Sequence, residues 1–85
     1  MDVGVTSNFS KKYKKLTNKE RNLLDQKTEI FRVNSRDPRL KTHQLSGKLR
    51  EYSAFSLTRG KRVKFILIES NKALFVDVGS HDDVY

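Results

Sequence analysis

At 85 residues the chain has the size of one domain, residues 1–85, with one small core, and the absence of cysteine rules out disulfides or a thiolate metal site as a supplement to it. No run approaches the roughly 18 apolar residues of a membrane span, and Met1-Asp2-Val3-Gly4 lacks the basic-then-apolar pattern of a secretory signal; a cytoplasmic location without membrane contact is expected. Lys and Arg number 18 against 10 acidic residues, for a net charge of +8. The surplus is lopsided, with 12 basic and 5 acidic side chains in residues 1–48 but 6 and 5 in residues 49–85, and a field of this sign favours RNA, anionic lipid or an acidic protein.

Met1 to Thr6 alternates weakly and reads as a first strand. Phe9, Tyr13 and Leu16 then fall at i, i+4 and i+7, one stripe of a short helix capped by Ser7 or Asn8, with Lys11, Lys12, Lys14 and Lys15 on its other faces. Thr17-Asn18-Lys19-Glu20 has the spacing of a capping box and starts a second helix. Its inward positions are Leu23, Leu24, Lys27 (through its aliphatic stem), Ile30 and Phe31, so the two helices form a hairpin with one apolar side. The only proline sits in a polar loop, Asn34 to Arg39.

After Gly47, three strands are expected over Arg50–Thr58, Lys61–Glu69 and Lys72–Val78, joined by turns at Arg59-Gly60 and Ser70-Asn71. Alternation places Phe55, Leu57, Val63, Phe65, Leu67, Leu74, Val76 and Val78 against the helices. The opposite parity holds Arg50, Tyr52, Ala54 and Ser56, then Arg62, Lys64, Ile66 and Ile68. That mixed face either lines a binding surface or is partly covered by the C-terminal tail. The expected fold is α+β: an N-terminal strand, a helical hairpin and an antiparallel three-stranded meander.

Three stretches carry a family resemblance. Phe31-Arg32-Val33-Asn34 leads into Asp37-Pro38-Arg39-Leu40-Lys41-Thr42-His43-Gln44-Leu45-Ser46-Gly47-Lys48-Leu49. The strand Arg62-Val63-Lys64-Phe65 follows, and the chain ends in Asp77-Val78-Gly79-Ser80-His81-Asp82-Asp83-Val84-Tyr85. In this order, nearly end to end, they resemble the RelE/ParE toxin superfamily, and within it the mRNA interferases similar to YafQ. The resemblance implies a β-α-α-β-β-β fold, an acidic or amphipathic antitoxin as partner, and cleavage of mRNA, usually on the ribosome. It places functional histidines at His81 and His43, an anion-stabilising arginine at Arg62 and a terminal aromatic at Tyr85. The chain departs from the pattern at Ser53, where many relatives have Trp, and at Ser56 and Gly60, where YafQ-like members have His and Asp; these departures shift weight onto Arg62 and Lys64.

The chemistry agrees with those residue types. Cutting RNA without a metal or cofactor requires a base for the 2′-hydroxyl, an acid for the leaving 5′-oxygen and a cation for the phosphoryl charge. Imidazole suits both proton transfers, and the guanidinium fork suits the third task. The chain has two histidines, and both lie in the family elements. His81 is expected on a Gly79-Ser80 turn, flanked by Asp82 and Asp83, which either orient it or are simply solvated. His43 either takes part in catalysis or pins its loop to the sheet. Lys64 and Arg50 are candidates for positioning phosphates, and Tyr85 either stacks on a base or plugs the core. No metal site is readable. Two rivals remain, a non-enzymatic gyrase-binding toxin of the ParE branch and a basic RNA-binding domain without catalysis.

Overall fold

In the computed structural model, which describes residues 1–85 except for the Asp83 side chain, a five-stranded sheet carries two helices on one face. The elements are β1 (Asp2–Val5), α1 (Ser7–Lys14), α2 (Asn18–Val33), a 3-10 turn (Pro38–Leu40), β2 (His43–Gln44), a second 3-10 turn (Gly47–Leu49), β3 (Ser53–Ser56), β4 (Lys61–Glu69), β5 (Lys72–Ser80) and α3 (His81–Val84). The sheet order is β1-β5-β4-β3-β2, with β1 parallel to β5 and the other pairs antiparallel. The α+β class, the first strand, the helical hairpin and the meander are therefore as expected, with β2 and α3 as additions. Among the described residues no helix is long and apolar enough to cross a membrane.

Local chemistry explains the helices. Thr6, rather than Ser7 or Asn8, caps α1, its hydroxyl accepting from Phe9 N–H. The capping box of α2 is complete: Thr17 Oγ1 accepts from Glu20 N–H at 3.1 Å, and Glu20 Oε1 accepts from Thr17 N–H at 2.9 Å. Lys61, 2.8 Å from Glu20, ties the start of β4 to this helix end, and its ammonium holds the Glu20 carboxyl below the ordinary carboxylate range.

Packing centres on the phenylalanines. All five lie in the core, and the ring of Phe31, fully buried on α2, meets Phe55 of β3, Phe65 of β4 and Phe75 of β5 at centroid distances of 5.5, 4.8 and 5.1 Å. The last two are edge-on contacts, the arrangement that ring quadrupoles favour.

The parity of β5 differs from the expected one. Phe65 pairs with Phe75 but Lys64 pairs with Asp77, so Val76 is the extra residue of a bulge. Ala73 and Phe75 point to the helices ahead of the bulge and Val78 after it, while Leu74 and Val76 are only half-buried. The carbonyl of Val76 is then available to Thr6 Oγ1 and Asn8 Nδ2, which fixes the start of α1 on β5. A second irregularity, between Leu67 and Glu69, leaves Leu67 half-exposed at the hairpin rather than in the core.

Replacing Phe31 should therefore disturb every strand of the meander at once. Phe31→Ala is expected to cost about 3–5 kcal/mol, a large share of the roughly 5–15 kcal/mol typical of a small domain. Urea denaturation checks this, with Phe31→Leu expected to lose markedly less.

Candidate functional site

The segment before β2 is built to hold His43. Asp37 accepts from Arg39 N–H and from its guanidinium, and that cation holds the Asp37 carboxyl well down, at about 2. The buried Leu40 anchors the 3-10 turn to the core. Lys41 then closes the turn in the left-handed region, φ 52°, a conformation costing a non-glycine residue about 1–2 kcal/mol. Thr42 Oγ1 donates to Ser35 O across the same loop.

These contacts orient the imidazole. His43 Nδ1 lies 3.3 Å from Lys41 O, a carbonyl that only accepts, so this contact is a hydrogen bond when Nδ1 carries a proton. Tyr85 Oη sits 2.5 Å from Nε2, which accepts from the phenol when the imidazole holds a single proton at Nδ1.

The C-terminal end supplies the other half. β5 continues through Gly79, paired with Arg62, and Ser80, paired with Lys61, so the expected Gly79-Ser80 turn is instead strand. Helix α3 begins directly at His81 and packs on β4 and β5, with Val84 fully buried and Tyr85 N–H donating to His81 O. His81 and Tyr85 thus meet edge to face at 4.2 Å between ring centroids, and Tyr85 meets His43 at 5.9 Å. Residues 43, 81 and 85 form one cluster, beside a cleft of about 210 Å³ whose walls include His43, Leu45, Leu49 and Tyr85. Asp82 is fully exposed with its carboxylate 3.9 Å from His81, too far for a hydrogen bond to orient it, and the Asp83 side chain lies outside the described residues.

The remaining candidates divide. Arg62 is half-buried opposite Gly79, two residues before His81. Its Nη1 donates to Thr58 O, Arg59 O and Lys61 O at 3.1, 3.3 and 3.2 Å, which anchors the group on the β3–β4 turn. All three bonds leave from Nη1, so the Nε–Nη2 edge, the one that grips two oxygens of an anion, is not used by them. The ammonium of Lys64 rests 5.1 Å from the Tyr52 ring centroid. Arg50 departs from expectation: β3 begins only at Ser53, and Arg50 closes the Gly47–Leu49 turn, exposed, its carbonyl accepting from Gln44 Nε2. It therefore stands off the strand face that holds Arg62 and Lys64. The bond between Tyr85 and His43, 42 residues apart, had no signal in the sequence. Lys27 did have one, a lysine on the apolar stripe of α2, and its ammonium donates to Ser56 O and Leu57 O.

No protein-family model and no curated protein sequence matches the chain. Solved structures do. A metal-bound toxin from Helicobacter pylori superposes with a TM-score of 0.82 at 20% identity, covering 100% of this chain and 99% of that one. YafQ from E. coli strain BL21(DE3) gives 0.81 at 17% identity, covering 99% and 97%. The fold is that of the RelE/YafQ toxins. The E. coli DinJ–YafQ toxin–antitoxin complex matches at 0.79 and 18% identity, with 99% and 96% covered. Among the described residues no group of three or more His, Cys, Asp or Glu side chains is placed to hold a metal ion.

The geometry at His43 makes a spectroscopic prediction. Nitrogen-15 NMR of the imidazoles, at a pH where they are neutral, should show His43 as the tautomer protonated at Nδ1, and Tyr85→Phe should shift its Nε2 resonance while leaving Nδ1 nearly unchanged. A His43 protonated at Nε2 would mean that the phenol accepts instead.

Proposed function

We propose that the chain is the toxin of a toxin–antitoxin pair and an endoribonuclease that cuts mRNA, on the ribosome in the manner the family resemblance implies. The observation that carries this reading is the convergence of two imidazoles on one phenol, with Arg62 paired to Gly79, two residues before His81, on the neighbouring strand.

In this mechanism the 2′-oxygen attacks phosphorus and the bond from phosphorus to the 5′-oxygen breaks, giving a 2′,3′-cyclic phosphate and a 5′-hydroxyl. His43 Nε2 receives the 2′-proton directly or through the Tyr85 hydroxyl. His81, exposed at the start of α3, donates a proton to the 5′-oxygen. The free edge of Arg62 holds the two non-bridging oxygens as charge builds on them. Lys64, steadied over Tyr52, and the exposed Arg50 bind flanking phosphates. The Tyr85 ring turns onto a base when RNA displaces it from His43.

The antitoxin reading is supported by the toxin–antitoxin complex among the structural matches and by a groove of about 440 Å³ between β1, α1 and α2. Its lining includes the apolar Val3, Phe9, Leu24 and Phe75 and the charged Lys14, Asp25 and Arg32, the last paired with Glu29. An amphipathic segment with acidic flanks fits it. Lys11, Lys14 and Lys15 extend the positive field, whereas Lys12 is occupied by the buried Asp77 at 3.0 Å.

His81→Gln keeps hydrogen bonding but cannot titrate in the needed range, so cleavage mapped by primer extension after induced expression should fall about 10²–10⁴-fold, as for His81→Ala, with the fold intact. Full activity in His81→Gln would remove His81 as the acid. Arg62→Ala should lower cleavage by about 10²-fold or more, with Arg62→Lys recovering part of it, since an ammonium lacks the two-pronged edge. Unchanged cleavage in Arg62→Ala would move charge stabilisation to Lys64 or Arg50.

A further inference from the structure

We propose that Lys27 and Lys41 form a phosphate subsite adjoining Arg62, which holds the backbone of single-stranded RNA as it leaves the imidazole cluster. RNA as the ligand rests on the ribonuclease reading; the cation cluster itself does not.

The cluster arises from the shortness of β2. Two residues of β2 pair with Ser53 and Ala54, and β3 runs on without a neighbour on that edge. Leu57 and Lys61 bond each other across β3 and β4, so the alternation turns the Ser56 carbonyl outward, where the sheet offers it no donor. Lys27 reaches over from α2 and supplies one, its Nζ 2.8 Å from Ser56 O and 3.1 Å from Leu57 O. Arg62 takes the next carbonyls, of Thr58, Arg59 and Lys61. Cations thus line the end of β3 in a row, anchored by neutral dipoles.

Carbonyls fix the position of a cation but do not neutralise it. Among the described residues Lys12, Arg32, Arg39 and Lys61 each pair with a carboxylate, whereas none of Lys27, Lys41 or Arg62 does. Lys41 precedes His43 by two residues, and because His43 pairs with Ala54 in antiparallel register the chain there runs back along β3 toward Ser56, the residue whose carbonyl holds Lys27; burial, then the like charges of Lys41 and Arg62, hold the Lys27 ammonium below the ordinary lysine range. Like charges gathered without counter-charge, one of them half withdrawn from water, lose free energy that an anion bound among them restores. Lys27 has a third N–H beyond the two in use, Arg62 has its unused edge, and Lys41 is exposed, so each retains a donor for a phosphate oxygen. Position favours a polymer of phosphates over an acidic peptide. Arg62 stands on the strand beside β5 and opposite Gly79, so a strand held at His81 and Arg62 continues toward Lys27 and Lys41.

The test is fluorescence anisotropy of a labelled single-stranded RNA with 2′-O-methyl sugars, which the proposed chemistry cannot cleave, titrated with salt. Lys41→Asn removes the charge while tolerating the left-handed backbone, and should lower the log–log salt slope by about 0.7, the value for one phosphate contact on a single strand. Lys27→Met keeps the stem, and combined with Lys41→Asn should lower the slope by about 1.4. Lys72→Gln, at the opposite end of the sheet, should leave it unchanged. An unchanged slope in folded Lys41→Asn would overturn the subsite, as would an equal loss in Lys72→Gln. So would variants that keep their RNA slope but lose binding to a polyglutamate peptide, which would assign the cluster to an acidic protein. Wild-type protein that shows the Lys41-dependent slope yet cuts no mRNA would keep the subsite and overturn the ribonuclease reading alone.

Discussion

The Phe31 ring is the contact on which the rest of the molecule depends. An 85-residue chain without disulfides has few large side chains to bury, and here one helical phenylalanine touches a phenylalanine on each of the three meander strands. That contact sets the distance between α2 and the sheet, and hence where everything at the sheet's far end lies. The stem of Lys27, one helical turn before Phe31, follows the same stripe, so the seating of Phe31 also delivers the Lys27 ammonium to the edge of β3.

The opposite face is organised by a different device. Its strand residues are mixed in character and could not close over themselves, yet Ala54 on that face is fully buried and Val84 beyond it is too. Helix α3 packs there, so the tail is part of the fold rather than an appendage to it. Val84 anchors the helix, and Tyr85 beside it reaches from the end of β5 to His43 on β2, across the two strands between them. A cluster assembled from residues so distant in sequence exists only when the whole meander is in register.

Much of this was legible from side-chain pattern, and the failures have identifiable causes. The capping box at Thr17 and Glu20 and the stripe through Leu24 and Phe31 are local signals, decided within one or two turns of helix, and both appear as read. The faces of β5 were misassigned because strict alternation cannot announce a bulge: Val76 adds one residue, and Leu74 and Phe75 exchange faces. Strand β2 went unseen because two residues carry no periodicity. The parallel pairing of β1 with β5 joins the two ends of the chain, which no local pattern encodes. At the site, imidazole, guanidinium and phenol were recognisable as chemical types and through the family resemblance. Which imidazole nitrogen faces the phenol was not, because it depends on the backbone of Lys41.

The net charge of +8 reads differently once its members are placed. Several cations are committed inside the molecule: Lys12 to Asp77, Lys61 to Glu20 and Arg39 to Asp37, each joining one element or loop to another or closing a turn. These contribute to the fold and little to the outward field. Among the cations left over, two groups face distinct surfaces, the exposed lysines of α1 beside the apolar groove, and Lys27, Lys41 and Arg62 near the end of β3. They serve different surfaces, one flanked by apolar side chains and the other by backbone carbonyls. An amphipathic polypeptide offers both apolar contact and negative charge and suits the first. A nucleic-acid strand offers closely spaced oxyanions and suits the second. A partner on the first surface need not touch the second, so any inhibition it exerts would have to come from covering the imidazole cluster or from preventing the strand's approach, not from neutralising the whole protein.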